Sequence, residues 1–97
     1  MRLRFARRAI QDLNDISDYL RARHPAGAVH VRAAIFESLR NLTHFPKVGR
    51  KQNVEGVRRL VARKYPYLIY YMIDEAADEI IIVSIQHSAR EREFSDI

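Results

Sequence analysis

The chain has 97 residues, a length that fits one domain with one modest hydrophobic core. It has no cysteine and no apolar run near the roughly 20 residues of a membrane span, which excludes disulfide frameworks and thiolate zinc sites and predicts a cytoplasmic protein without membrane association. Seventeen Lys and Arg against twelve Asp and Glu give a formal charge of +5, which favours nucleic acid or an acidic protein as partner.

The first half of the chain predicts a strand followed by two helices. Residues 2–5 alternate charged and apolar side chains, the period of a half-buried strand. From residue 6 to about 23, apolar residues recur at spacings of four, three and four, and a second helical period runs from 28 to 42. Pro25 and Gly27 break the pattern between them, so we expect a helix hairpin with a short link.

Three aspartates of the first predicted helix lie off its apolar stripe. Asp12 stands four residues after Arg8, and Asp18 stands three before Arg21, spacings that form ion pairs along a helix. Together with Asp15 they predict a solvated charged face rather than a metal site.

The second half predicts three consecutive antiparallel strands, at 54–62, 67–73 and 79–85, with 74–78 as a hairpin link. The last two are apolar on both faces, so we expect the helices to cover one face and local chain or a partner to cover the other. The predicted fold is one α+β domain over 1–97, of order β-α-α-β-β-β, with the helix hairpin packed on a mainly antiparallel four-stranded sheet.

The densest basic zone surrounds the second predicted strand. Because side chains alternate along a strand, Arg59 and Arg63 would share one face, and Arg58 and Lys64 the other. Such a zone either contacts phosphate or an acidic partner, or protects an edge strand from aggregation by its charge, and both interpretations stay open. The preceding loop adds Lys47, Arg50 and Lys51.

The tyrosines of the third predicted strand alternate too, with Tyr67 and Tyr71 on one face and Tyr70 on the other. Rings at this spacing are more often core or groove walls than platforms for bases, and we interpret them so. His87 ends the last strand, where an imidazole either exchanges a proton near pH 7 or hydrogen-bonds the backbone. We favour the second role, because no second candidate base accompanies it.

Three segments, taken in order, resemble the ParE branch of the RelE/ParE toxins of bacterial toxin–antitoxin systems: FPKVGR, GVRRLVARKYPYLIYYMID and IIIVSIQHSARE. No one motif is diagnostic, but their order and spacing together are. The matching positions are Phe45, Pro46, Gly49, Arg50, Arg58, Tyr67, Leu68, Ile69, Tyr70, Tyr71, His87 and Arg90, with Ala9, Asp12, Leu13, Ile16 and Tyr19 in the first helix.

The resemblance implies a cognate acidic, ParD-like antitoxin that wraps the toxin, and DNA gyrase as the target. RelE-like members instead cleave messenger RNA on the ribosome, which is the alternative function, and an inactive homologue that only binds its antitoxin is a third. Many RelE-like nucleases carry an arginine where this chain has Tyr67. That departure favours a gyrase inhibitor, which is not an enzyme, over a ribonuclease.

For a gyrase inhibitor we expect no catalytic residue, metal or cofactor. If the protein is a ribonuclease, the resemblance implies Arg63, His87 and Arg90 as catalytic residues. The candidate contacts for antitoxin or target are Arg50, Arg58, Arg59, Arg63, Lys64, Tyr67, Tyr71 and Arg90.

Overall fold

A computed structural model of the protein describes residues 1–90, the last of them by its backbone alone. Within this range a strand precedes two helices, and four further strands follow. The elements are β1 (Arg2–Phe5), α1 (Arg7–Arg23), α2 (Pro25–His44), β2 (Arg50–Lys51), β3 (Arg58–Val61), β4 (Tyr67–Asp74), β5 (Glu79–His87) and a final 3₁₀ turn (Ser88–Arg90).

The strands form one sheet in the order β1-β5-β4-β3-β2. All neighbours are antiparallel except β1 and β5, which run parallel from Arg2 opposite Glu79 to Phe5 opposite Ile82. The predicted α+β class and helix hairpin on a mainly antiparallel sheet are confirmed. The predicted count of four strands was one short, because two-residue β2 is too short to show a period.

The two helices are joined by a single residue, His24. The prediction that Pro25 and Gly27 both interrupt the helical pattern was wrong, since Pro25 is the first residue of α2 and Gly27 lies in its first turn. Proline suits this position because the first helical N–H has no partner within the helix. In the described part of the chain, neither helix combines the length and apolar character that crossing a bilayer requires.

Strand β3 is shorter than predicted, covering Arg58–Val61 instead of 54–62. Residues 54–57 form a turn, closed by the Val57 N–H donating to the Val54 carbonyl at 3.1 Å. At the other end, Arg63 and Lys64 lie in the turn between β3 and β4, so the prediction that they alternate on strand faces was wrong.

The main core lies between the helices and the sheet, and it contains Tyr67 and Tyr71 of β4. Tyr70 and Leu68 project from the other face, where Val54 and Val57 cover them. This arrangement confirms both the predicted alternation of the tyrosines and local covering of the second face. The main cluster also includes Ala9, Leu20, Val31, Ile35, Leu39, Leu42, Ile69, Ile80, Ile82 and Ile85.

Candidate functional site

Two of the predicted site residues, Tyr67 and His87, meet at one end of the sheet, where β4 begins and β5 ends. Tyr67 lies opposite His87 in the strand register, and their rings meet edge-on at 5.5 Å between centroids and 87° between planes. The Ser88 N–H donates to the Pro66 carbonyl at 2.7 Å, which places the turn containing Arg63 and Lys64 beside the final 3₁₀ turn.

A cleft of about 680 Å³ opens between α1 and this end of the sheet. Side chains of α1 line one side of it, and side chains of β4 and β5 line the other. We call it the α1 cleft. Its lining residues are Arg8, Asp12, Asp15, Ile16, Tyr19, Tyr67, Ile85, Gln86, His87 and Ala89.

The electrostatics of the cleft do not assemble an acid–base pair. Burial, with a smaller contribution from Tyr19, raises the pKa of Tyr67 above its ordinary value of 10.0, so its hydroxyl stays neutral and is a poor proton acceptor at physiological pH. His87 accepts the Ala89 N–H at Nδ1, 3.2 Å away, the backbone role predicted for it. Among the residues that the structure describes, no carboxylate forms an ion pair with His87.

Asp12 has a role that the sequence did not indicate. Its pair with Arg8 is present at 3.9 Å, but its Oδ2 also accepts the Ser84 hydroxyl at 2.8 Å and the Ile85 N–H at 2.9 Å. Strand β1 ends opposite Ile82, so nothing in β1 can pair with Ile85. The carboxylate takes the place of the missing strand, and interpreting Asp12 as only a solvated charge was wrong.

Arg58 and Tyr71 hold the loop at residues 45–49 in place. One Arg58 nitrogen, Nη1, donates to the Lys47 carbonyl at 3.1 Å and to the Gly49 carbonyl at 2.8 Å. The Tyr71 hydroxyl donates to the Pro46 carbonyl at 2.7 Å and accepts the Gly49 N–H at 2.8 Å. Tyr71 is fully buried, so this candidate contact supports the loop from within and presents no surface to a partner.

The remaining cations lie on the opposite edge of the sheet and in the adjoining turn. Arg50 lies directly opposite Arg59, and Lys51 opposite Arg58, so β2 and β3 place like charges side by side. Such pairs weaken a sheet in isolation. The side chain of the predicted residue Arg90 lies outside the described part of the structure.

No group of three His, Asp or Glu side chains among the described residues is placed to hold a metal ion.

Comparison with known proteins decides the family. Residues 3–92 match the family model described as the ParE toxin of the type II toxin–antitoxin system, parDE. The chain belongs to the ParE toxin family. Its resemblance to the RelE/ParE superfamily, predicted from motif order, is thus confirmed.

Individual relatives of this ParE-family toxin agree. Y4kP, a toxin homologue of Sinorhizobium fredii, is 30% identical over 87 residues, covering 90% of this chain and 88% of Y4kP. A chain of the chromosomal ParDE system of P. aeruginosa superposes with a TM-score of 0.77 and 28% identity, over 90% of this chain and 95% of that one.

RelE structures share the fold as well. The toxin–antitoxin complex RelBE2 of Mycobacterium tuberculosis contains a chain with a TM-score of 0.59 and 25% identity, covering 89% of this chain and 95% of that one. The isolated E. coli RelE toxin has a TM-score of 0.70 at 14% identity, over 95% of this chain and 88% of that one, which shows likeness of fold alone. The protein is therefore a type II toxin of the ParE/RelE superfamily.

Proposed function

We propose that this toxin inhibits DNA gyrase. The observation that carries the proposal is the match of residues 3–92 to the ParE family, in a chain where no described carboxylate forms an ion pair with His87. Tyr67 is buried and resists ionisation, and the His87 ring is engaged with the backbone. A stoichiometric inhibitor needs neither group to transfer a proton.

The competing function is a ribosome-dependent ribonuclease that uses Arg63, His87 and Arg90. One observation favours it, namely that the turn carrying Arg63 and Lys64 is tied to the end of β5 next to His87. A phosphate held by those cations would lie near an imidazole, an arrangement that RNA cleavage uses. Against it, no carboxylate forms an ion pair with His87 among the described residues, so nothing there orients the imidazole as a base.

A cognate acidic, ParD-like antitoxin completes the proposal. The ParDE and RelBE proteins that share this fold come from toxin–antitoxin systems, and RelBE chains were solved as complexes. The formal charge of +5 favours an acidic partner, because opposite charges attract across an interface. We place the pair in the cytoplasm, where gyrase acts.

Supercoiling and translation assays with the purified toxin separate the two functions. We expect the toxin to block gyrase-driven supercoiling of a relaxed plasmid and to leave messages intact in a ribosome-programmed translation reaction. Arg63→Ala and His87→Ala should each retain inhibition if they have no catalytic role. Cleaved messages from the parent toxin, lost in both variants, would instead establish the ribonuclease.

A further inference from the structure

The loop at residues 45–49, which we call the FPKVG loop, exposes two large apolar side chains. Phe45 is 68% exposed and Val48 is 57% exposed. Phenylalanine is among the residue types most often buried, although single exposed apolar residues are common on protein surfaces. What distinguishes this pair is the rigidity of the backbone beneath it.

The FPKVG loop is a β-turn with its own internal hydrogen bond. The Val48 N–H donates to the Phe45 carbonyl at 3.1 Å, and Pro46 follows Phe45 at the position where its fixed φ favours such a turn. Phe45 is also tied to α2, since its N–H donates to the Asn41 carbonyl at 2.9 Å. The two apolar side chains therefore project from the two ends of one closed turn.

Two side chains from the sheet complete the support. Tyr71 binds Pro46 and Gly49, and Arg58 binds Lys47 and Gly49. Together with the turn bond, these contacts give every residue of the FPKVG loop at least one backbone hydrogen bond. A loop held in this way loses little further conformational entropy on binding, which is the condition under which an exposed aromatic anchor contributes most to affinity.

The surroundings of the loop are basic. Within the loop, the Lys47 side chain is 70% exposed and approaches Glu75, itself 74% exposed, at 3.9 Å, a solvated pair that binding can exchange at little cost. Arg50 and Lys51 follow immediately and are exposed. The apolar pair thus lies beside cations, which selects a partner surface with acidic groups around an apolar pocket.

We propose that the FPKVG loop is the surface by which this toxin docks on its target protein, with Phe45 inserted into an apolar, acid-rimmed pocket of gyrase. The inference rests on the proposed function. The loop is already closed by hydrogen bonds, so it fits a preformed pocket of a folded partner, whereas an extended segment would lose conformational entropy in covering it. A folded target therefore suits the loop better than an extended antitoxin segment does.

Gyrase inhibition by purified full-length variants tests the proposal. Phe45→Ala should raise the toxin concentration that halves plasmid supercoiling at least tenfold, and Val48→Ala several-fold. Val29→Ala is the matched control, because Val29 is 69% exposed on α2 and its loss should leave inhibition unchanged. Melting curves of all three should overlap with the parent, since these side chains are exposed.

Tyr71→Phe tests the rigidity separately, because it keeps Phe45 and Val48 and removes only the hydroxyl beneath them. We expect weaker inhibition at temperatures where this variant is fully folded, as judged by circular dichroism. Equal inhibition by Tyr71→Phe and the parent would show that loop rigidity does not contribute to docking.

The outcomes separate this inference from the proposed function. If the parent toxin does not inhibit gyrase, both fail. If the parent inhibits and Phe45→Ala inhibits equally well, the docking surface is overturned while the proposed function stands. If Phe45→Ala retains inhibition but loses affinity for the cognate antitoxin, the loop is an antitoxin contact, which also overturns the inference.

Discussion

The carboxylate of Asp12 and the hydroxyl of Ser84 are joined by a hydrogen bond of 2.8 Å across 72 positions of sequence. The same oxygen accepts the N–H of Ile85. This side chain of α1 thereby binds the part of β5 that lies beyond the end of β1. It also holds α1 beside the end of β5 that carries His87.

Asp12→Ala should lower the free energy of unfolding by about 2–4 kcal/mol, because two hydrogen bonds to a charged acceptor are lost and the Ile85 N–H is left without its partner. Denaturant titration measures the loss. Asp18→Ala is the control, since Asp18 and Arg21 are both exposed and their pair contributes no more than about 1 kcal/mol.

Amide hydrogen exchange locates the effect of Asp12→Ala. In the variant, the Ile85 amide should exchange much faster than in the parent, whereas amides of β4 paired with β5 should change only with global stability. Unchanged protection at Ile85 would show that Asp12 does not hold the strand.

Gly49→Ala should destabilise the protein by about 1–3 kcal/mol, the range for overpacking a filled site. A Cβ on Gly49 would lie 2.5 Å from the Tyr71 hydroxyl oxygen, and Tyr71 cannot retreat because it is fully buried. Thermal unfolding gives the size of the shift.

Gly27→Ala provides the opposite expectation at a site of the same residue type. Its nearest neighbour would be the His24 Cβ at an ordinary 3.6 Å, inside the first turn of α2. Alanine there should stabilise the helix by about 0.5–1 kcal/mol. A loss of stability in Gly27→Ala would contradict the expectation for this site.

Arg58→Met should cost about 1–3 kcal/mol, because the guanidinium that holds the Lys47 and Gly49 carbonyls is replaced by an apolar chain of similar length. Arg50→Met, at an exposed position of β2, should change stability by less than about 0.5 kcal/mol. Equal losses would mean that the loop does not depend on Arg58. Denaturant midpoints of the two variants give the comparison.

Stability should decline in alkaline solution, and Tyr67 is one cause. Burial raises its pKa above 10.0, so the unfolded chain loses this proton before the folded one does. The contribution of Tyr67 is fully present below pH 10, and it is lost as pH rises from 10 through the folded pKa.

Tyr67→Phe removes this ionisation, so its free energy of unfolding should fall less steeply above pH 10 than that of the parent. Tyr71 adds to the decline in both proteins, because burial raises its pKa despite opposing effects of the Gly49 N–H and the Arg58 charge. Urea titrations from pH 8 to 11 give both slopes. Parallel slopes would contradict the role of Tyr67.

Local periodicity sufficed to predict both helices and four of the five strands, since each of those elements repeats its pattern at least twice. Contacts between distant residues were not predictable in this way. Nothing in the spacing of residues 2–5 indicates that they pair in parallel with 79–82, and two-residue β2 has no period at all.

The candidate site was likewise predictable only in part. The sequence identified Arg58 and Tyr71 by residue type and position, but their function in supporting the FPKVG loop depends on carbonyls 9 to 25 residues away. The only sequence feature that pointed to this loop was the joint presence of Phe45, Pro46 and Gly49 in the family motif. Asp12 was also part of the family motif, but its hydrogen bonds to β5 became apparent only from the position of α1 beside Ser84.

The parallel pairing of β1 with β5 also determines when the protein can fold during its synthesis. Residues 2–5 leave the ribosome before the other strands do, yet in the described sheet their strand partner is 79–87, an interior strand that also pairs with β4. Closing so long a stretch of chain is a late step. A nascent chain therefore has no finished sheet until β5 has been synthesised, and a chain that stops before residue 79 cannot join β1 to β4.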